Sequence, residues 1–432
     1  MLNNQSQVSS LDAAAAVDTQ HERHSSCRFC GSELQHVFLD LGLSPLANTY
    51  LKEEDLQHEE KRFPLRVYLC DECLLVQLEE WESPENIFGE YAYFSSYSES
   101  WLRHAKTYVG RMMARFGFGP HSKVVEIASN DGYLLQFFVE HAVPVLGIEP
   151  ARNVAEVARS RGIPTRVDFF GETTARTLRR EGLRADLLIG NNVLAHVPNL
   201  NDFVKGLKIV LAEQGIITME FPHLMRLCAD CQIDTIYHEH FSYFSFIAVE
   251  KIFGAHGLTL FDVEELSTHG GSLRIFAQHR AGGRQPISTR VEDLRRREIE
   301  VGYGGLTGYL AFEKRAVRTK EKLIEFLVAA KKAGKHVAGY GAPAKGNTLL
   351  NYCGITTDLL EYTVDRSPHK QGRFLPGTHI PIYEPERFNA TKPDYILILP
   401  WNLQDEIIGQ LSFARTWGAQ FVVPIPEARI IQ

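Results

Sequence analysis

Between residues 124 and 221 the chain repeats one pattern: a short apolar run, a polar or glycine-bearing bend, then an amphipathic helical stretch. The runs are VVEIAS (124–129), VPVLGIE (143–149), PTRVDF (164–169), ADLLIGNN (185–192) and GIITMEF (215–221), with stretches such as NVAEVARSRG and DFVKGLKIVLAEQG between them. Runs this apolar suit strands buried on both faces. Helices between successive strands make those strands parallel and cover the sheet on each side. The fold class is therefore α/β. Two later runs, LTLFDVEEL and SLRIFAQH, suit an antiparallel edge. After a charged helical connector the pattern starts again in a smaller α/β unit, with HVAGYGAPAKGNTLLNY, LEYTVDRSP, DYILILPWN and QFVVPIP.

The N-terminal part differs. Cys27 and Cys30 (CRFC) and Cys70 and Cys73 (CDEC) form two knuckles with 39 residues between them. A two-residue gap lets both thiolates of a knuckle reach one tetrahedral zinc, and two knuckles complete a four-sulfur shell. Four cysteines leave no open position, so the expected zinc is structural. A third such pair, Cys228 and Cys231, has to be weighed against them. The chain has seven cysteines, an odd number, and its first residues lack the cationic start and apolar stretch of a secretory signal. Reduced thiols and a cytoplasmic location are expected. The division expected is a disordered leader (1–26), a zinc-binding domain (27–81), a central domain (82–285) and a C-terminal Rossmann-like domain (286–432).

Charge and hydropathy narrow the partners. With 46 basic and 53 acidic residues the formal net charge is −7, which argues against nucleic acid. No apolar run approaches the roughly 20 residues that span a bilayer. A membrane is not expected as a partner.

In an open parallel sheet, ligands bind beyond the carboxyl ends of the strands, near the point where strand order reverses. There the first strand offers Ser129, Asn130, Asp131 and Gly132, the second Glu149, the third Asp168 and Phe169, and the fourth Asn191, Asn192 and His196. The glycine lets backbone approach a ligand at a turn opening a helix. Glu149 stands where an acid can bind both ribose hydroxyls of an adenosine, and Asp168 and Phe169 where they can flank its adenine. The turn is not a G-x-G-x-x-G dinucleotide fingerprint. In strand order, these pieces resemble the class I S-adenosylmethionine-dependent methyltransferase fold.

After the fifth strand, DTIYHEHFSYFS places Tyr237, His238, Glu239 and His240 together. Titratable groups of this density are costly to bury and useful for proton transfer, although a histidine-rich structural turn is the plain alternative. In an extended segment His238 and His240 share a face, so both are expected to point inward. Upstream, GEYAYFSSYSESW carries Tyr91, Tyr93, Ser95 and Ser96, suited to covering a sugar or to packing between domains. HGGSLR (His269, Gly270, Gly271, Ser272, Arg274) offers contacts to sugar or phosphate. GYGAPAKGNTLLNY opens a helix after a strand, with Lys345 placed to help hold a pyrophosphate.

Paired CxxC, EIASNDGYLL, NNVLAHVPN, YHEHFSYFS, HGGSLR and GYGAPAKGNTLLNY, in this order from Cys27 onward, resemble the sugar C-3 methyltransferases of deoxysugar pathways. The resemblance implies a zinc-binding N-terminal unit, a central methyltransferase domain and a C-terminal Rossmann-like domain, with a nucleotide-sugar in the cleft between them. It implies S-adenosylmethionine as cofactor and His240 as the base, with Tyr237 and Glu239 beside it and Tyr91 and His196 near the sugar ring. Cys228 and Cys231 are not part of the family pattern. Three other readings stand beside it: a zinc-stabilised binding protein, an NAD oxidoreductase, and an O- or N-methyltransferase acting on another small molecule.

Overall fold

The computed structural model describes residues 26–89 and 94–431; Tyr91 and Tyr93 lie outside the described residues. Three sheets organise the chain. The N-terminal sheet is built from β1 (His36–Ser44), β2 (Phe63–Leu69) and β3 (Val76–Leu78), paired antiparallel.

The central sheet comes next, with β4 (Val124–Ile127), β5 (Val145–Ile148), β6 (Thr165–Arg166), β7 (Ala185–Asn191) and β8 (Leu211–Pro222). The two-residue strand β9 (Ser242–Tyr243) follows and completes the N-terminal sheet beside β3, whereas β10 (Leu258–Leu266) and β11 (Ser272–His279) return to the central one. The sheet runs β10-β11-β8-β7-β4-β5-β6. Strands β8 to β6 are parallel, and β11 and β10 add an antiparallel edge, as the sequence pattern predicts. Order reverses at β4, whose neighbours are β5 on one side and β7 on the other, so a crevice opens above its carboxyl end.

Burial on both faces explains the run of Val and Ile. Val125 and Ile127 enter one core together with Leu188, Phe203 and Phe253. Val124 enters the opposite core, against Ala105, Tyr108 and Met112 of the helix Glu99–Phe116. That helix starts on Ser98, whose side chain accepts from the Trp101 amide, and ends at Gly117 in the left-handed conformation. The thiols Cys27, Cys70 and Cys73 lie in the same core as Val125, so the N-terminal unit packs directly on the central one.

The third sheet contains β12 (Val337–Tyr340), β13 (Thr363–Val364), β14 (Ile382–Tyr383), β15 (Tyr395–Ile398), β16 (Gln420–Val423) and β17 (Arg429–Ile431), in the order β14-β13-β12-β15-β16-β17. All its pairings are parallel except the last. Among the described residues no helix is long and apolar enough to cross a membrane.

The central sheet buries one guanidinium. Arg274 on β11 is 1% exposed and donates to Glu220 on β8 at 2.7 Å and to Glu264 on β10 at 3.1 Å. Such a charge is tolerable only because two carboxylates on adjacent strands meet it. The turn after β4 carries a different constraint. Gly132 has φ of +77°, and a Cβ placed there would lie 2.3 Å from Ile163 Cδ1. Gly132→Ala is expected to cost about 1–3 kcal/mol through overpacking and the left-handed backbone. A denaturation midpoint equal to wild type would contradict that reading of the turn.

Candidate active site

The four predicted zinc ligands converge. The ligand atoms of Cys27, Cys30, Cys70 and Cys73 all lie within 4.8 Å of one another, with Cys27–Cys73 at 3.5 Å and Cys30–Cys70 at 3.4 Å between sulfurs. The thiol of Cys73 and the amide of Gln77 pull Cys27 down to about 4, while burial pushes Cys70 up to about 11. Four sulfurs this close cannot all ionise without a cation, and a tetrahedral zinc supplies one. Cys228 and Cys231 belong to a different apolar cluster, and burial pushes both thiols up.

Above β4 the strand-end residues form a buried polar cradle. The Glu149 carboxylate accepts from the backbone amides of Asn130 and Ala151, each at 2.9 Å, and burial nonetheless raises it above the ordinary carboxylate range. Asn130 Oδ1 accepts from the Ser95 amide at 2.9 Å. Asp131 Oδ2 takes Ser96 Oγ and Arg161, the latter at 3.2 Å. Ser95 and Ser96 thus cross the turn that follows β4. Buried side-chain atoms without a partner among the described residues include Ser129 Oγ, Asp131 Oδ1 and Asn191 Oδ1 of this cradle. Buried polar atoms are rarely left so unless a ligand completes them. Their position at the reversal of strand order fits the polar edge of S-adenosylmethionine. Asp168 pairs with Arg166 at 3.5 Å, and Phe169 is 39% exposed, beside the cradle's outer edge at the end of β6.

The YHEH segment is a turn. The His240 amide donates to the Tyr237 carbonyl at 2.9 Å, so the two histidines diverge, contrary to the expectation of a shared face. His238 turns to the N-terminal unit, where its ring meets Phe63 edge-on and its Nε2 lies 3.3 Å from the Pro64 carbonyl. His240 turns to the crevice. Its ring centroid is 4.1 Å from that of Tyr237 and 4.7 Å from that of His196.

The tautomer of His240 follows from its partner. Nδ1 lies 2.8 Å from the Thr235 carbonyl, which accepts only, so Nδ1 carries the proton and Nε2 keeps the lone pair. Burial holds His240 well below the ordinary histidine value and brings His196, His238 and His269 to about 4. The imidazole of His240 is neutral at pH 7.

Further residues surround the histidine cluster, of which Asp234 and Trp401 carry no local sequence signal. Asn192 Nδ2 lies 3.1 Å from His269 Nε2, and both residues have φ of +54°. Trp401, from the C-terminal unit, donates its indole N–H to Asp234 at 2.7 Å. Lys345 is half-buried, reaches the His269 carbonyl at 3.4 Å and stands 5.5 Å over the Trp401 ring. Its charge is felt by His240, His269 and Asp234. The predicted phosphate-loop lysine therefore lies beside the histidine cluster. Gly271 has φ of +118° and packs against Arg226, and Ser272 Oγ donates to the Thr268 carbonyl at 3.0 Å.

Comparison with known proteins agrees with this arrangement. Residues 27–88 match a family model described as "Putative zinc binding domain", residues 101–263 one described as "Methyltransferase domain", and residues 267–426 one described as "C-methyltransferase C-terminal domain". The fold and the cradle define a class I S-adenosylmethionine-dependent methyltransferase with an N-terminal zinc-binding cysteine cluster. C-methyltransferase NovU of Streptomyces niveus is 37% identical over 406 residues, which cover 94% of this chain and 96% of that protein. The chain belongs to that C-methyltransferase family. A ubiquinone biosynthesis O-methyltransferase of Bartonella tribocorum is 23% identical over 146 residues, 32% of this chain and 57% of that protein. Among solved structures, magnesium protoporphyrin IX methyltransferase of Synechocystis PCC 6803 with bound SAM covers 41% of this chain and 78% of its own, at 15% identity and a TM-score of 0.31.

Two measurements test the binding sites. Metal analysis should find one zinc per chain, lost when Cys70 and Cys73 are both changed to Ser; zinc retained by that double variant would place it elsewhere. Glu149→Ala should weaken S-adenosylmethionine binding by about 1–3 kcal/mol, since it removes an acceptor and leaves two backbone donors unpaired. An unchanged calorimetric affinity would remove Glu149 from the cofactor site.

Proposed function

We propose that this C-methyltransferase methylates carbon 3 of a nucleotide-linked 4-keto deoxysugar through an enolate. The observation that carries the reading is the His240 tautomer: a neutral, buried imidazole with its Nε2 lone pair directed away from the Thr235 carbonyl, next to a phenol and a second imidazole. Carbon is not a nucleophile until a proton leaves it, and a ketone at carbon 4 acidifies the hydrogen on carbon 3. S-adenosylmethionine supplies an electrophilic methyl group on a sulfonium.

In this reading His240 Nε2 takes the carbon-3 proton, and the electron pair moves into the enolate. Tyr237 and His196 hold the 4-keto oxygen as it gains charge. The carbon-3 lone pair then forms the new C–C bond while the S–CH3 bond breaks and its pair stays on sulfur. The proton on His240 leaves to solvent. The zinc, remote and fully ligated, takes no part in the chemistry. Tyr91 and Tyr93 are assigned to the cover over the sugar, and Gly271 and Ser272 to the substrate side, while His238, expected there too, faces Phe63 and Pro64 of the N-terminal unit instead. Lys345 is assigned to an anionic part of the substrate, with the C-terminal unit (286–432) taking the nucleotide end. Supporting this, Lys345 lies half-buried between the C-terminal loop and the histidine cluster, where a positive charge favours an anion. A nucleotide-sugar is thus the expected partner.

Labelled S-adenosylmethionine offered with a panel of nucleotide 4-keto sugars should give a carbon-methylated product, and failure with every member would remove the substrate class. The base is tested separately in deuterium oxide with S-adenosylhomocysteine bound. Wild type should wash deuterium into carbon 3 without methyl transfer. His240→Asn should slow that exchange by about 10²–10⁴-fold while still binding both ligands, as for loss of a general base. Exchange at the wild-type rate would move the base to another residue.

A further inference from the structure

Glu239 has no task in the chemistry above, although its side chain is almost fully buried beside the proposed base. Burial lifts its carboxyl to about 7, against a single hydrogen bond that favours the charged form. That bond comes from the N-terminal unit: Asn48 Nδ2, on the connection between β1 and β2, donates to Glu239 Oε1 at 2.5 Å. No second hydrogen bond to the Glu239 side chain occurs among the described residues.

The amide is held at its other end. Asn48 Oδ1 lies 3.2 Å from the Tyr50 hydroxyl, which orients Nδ2 toward the carboxylate. The same hydroxyl lies 2.6 Å from the Ala342 carbonyl in the GYGAPAKG loop. One phenolic proton serves two acceptors, but Lys370 also donates to Ala342 at 2.8 Å, so neither carbonyl is stranded. Asn347 of the C-terminal unit donates to the Ala47 carbonyl at 3.4 Å. The segment 47–50 is therefore fixed to the C-terminal loop on one side and meets the YHEH turn on the other.

We propose that Asn48 is a positioning residue of the reaction centre: its amide donates to Oε1 of Glu239, favours the carboxylate and fixes that oxygen, so that Oε2 is presented as an acceptor to a hydroxyl of the substrate. This rests on the enolate reading for its substrate, but the geometry of Asn48 and Glu239 does not depend on it. The titratable groups around Glu239 are His238 and His240 on its own turn, His196 from the turn after β7, and Tyr50 from the N-terminal unit. Lys370 and Asp365 of the C-terminal unit stand behind Tyr50. The carboxyl of Glu239 sits near neutrality, because burial and Asn48 act on it in opposite directions. Below that value it gains a proton and loses its acceptor character; above it, the carboxylate persists.

The test has an arm that does not need turnover. Difference infrared spectra of wild type against Glu239→Gln, recorded across pH, follow the Glu239 carboxyl directly. Its midpoint should lie near 7 and rise by about one unit or more in Asn48→Leu, the direction expected when a donor to the charged form is lost. Tyr50→Phe, which frees the amide without removing it, should move the midpoint the same way by less. The acid limb of kcat/KM should shift upward in step, giving about tenfold lower activity per unit on its acid side, with S-adenosylmethionine affinity unchanged. An unmoved midpoint in both variants overturns the proposal. So does a fall in kcat that is equal at every pH, which marks Asn48 as merely structural. A midpoint that moves as expected in a protein that methylates none of the 4-keto sugars sinks the substrate reading and leaves the Asn48–Glu239 assignment standing.

Discussion

The arrangement depends on a short ladder of backbone hydrogen bonds between parts of the chain far apart in sequence. β9 follows the YHEH turn directly and pairs antiparallel with β3, matching Val76 with Tyr243 and Gln77 with Ser242. The Leu78 amide adds a bond to the Phe241 carbonyl at 3.0 Å. Backbone donors and acceptors must be paired when buried, so the edge of β3 and the segment after His240 satisfy each other. The YHEH turn is thereby a continuation of the N-terminal sheet.

Zinc gains a mechanical meaning from this. The CDEC knuckle leads directly into β3, and Gln77 on β3 reaches back to the other knuckle, donating to Cys27 Sγ at 3.2 Å and accepting from the Arg28 amide at 2.9 Å. Arg28 in turn donates to the Pro198 carbonyl at 2.7 Å and stands 5.4 Å over the Phe241 ring. The four-cysteine centre thus fixes the strand against which the YHEH turn is registered.

Burial and charge act differently on neighbouring groups of the centre. Glu220 at the end of β8 is buried, which by itself would raise its carboxyl, but His104 and Arg274 outweigh that and hold it at about 2. No carboxylate offsets burial at His196 or His240, and both are driven neutral. A carboxylate held low, neutral imidazoles and the half-buried ammonium of Lys345 thus lie near one another. These are separate environments a few side chains apart, and separation of this kind lets neighbouring groups take different roles.

The strands were legible because each rule involved is local. A buried parallel strand must be apolar throughout, so β4, β5, β7 and β8 could be read from Val, Ile and Leu runs with boundaries off by a few residues. β10 and β11 were read end to end. The zinc ligands were legible for the same reason: two-residue spacing is the chemistry of a knuckle, and the right four thiols converge although a third pair, Cys228 and Cys231, shares the spacing. The cofactor cradle followed from strand order. What tertiary structure decided is everything that depends on a partner distant in sequence. The facing of His238 and His240 is set by a turn and by what lies on either side, Phe63 for one and His196 for the other. Lys345 read as a phosphate-loop residue because its own neighbours are glycines, yet packing of the C-terminal unit carries it to the histidine cluster. Asn48 had no motif at all. An asparagine in a loop is common, and only the pairing of β3 with β9 brings Glu239 to within a hydrogen bond of it, because side-chain function at such a position is fixed by contact and not by spacing.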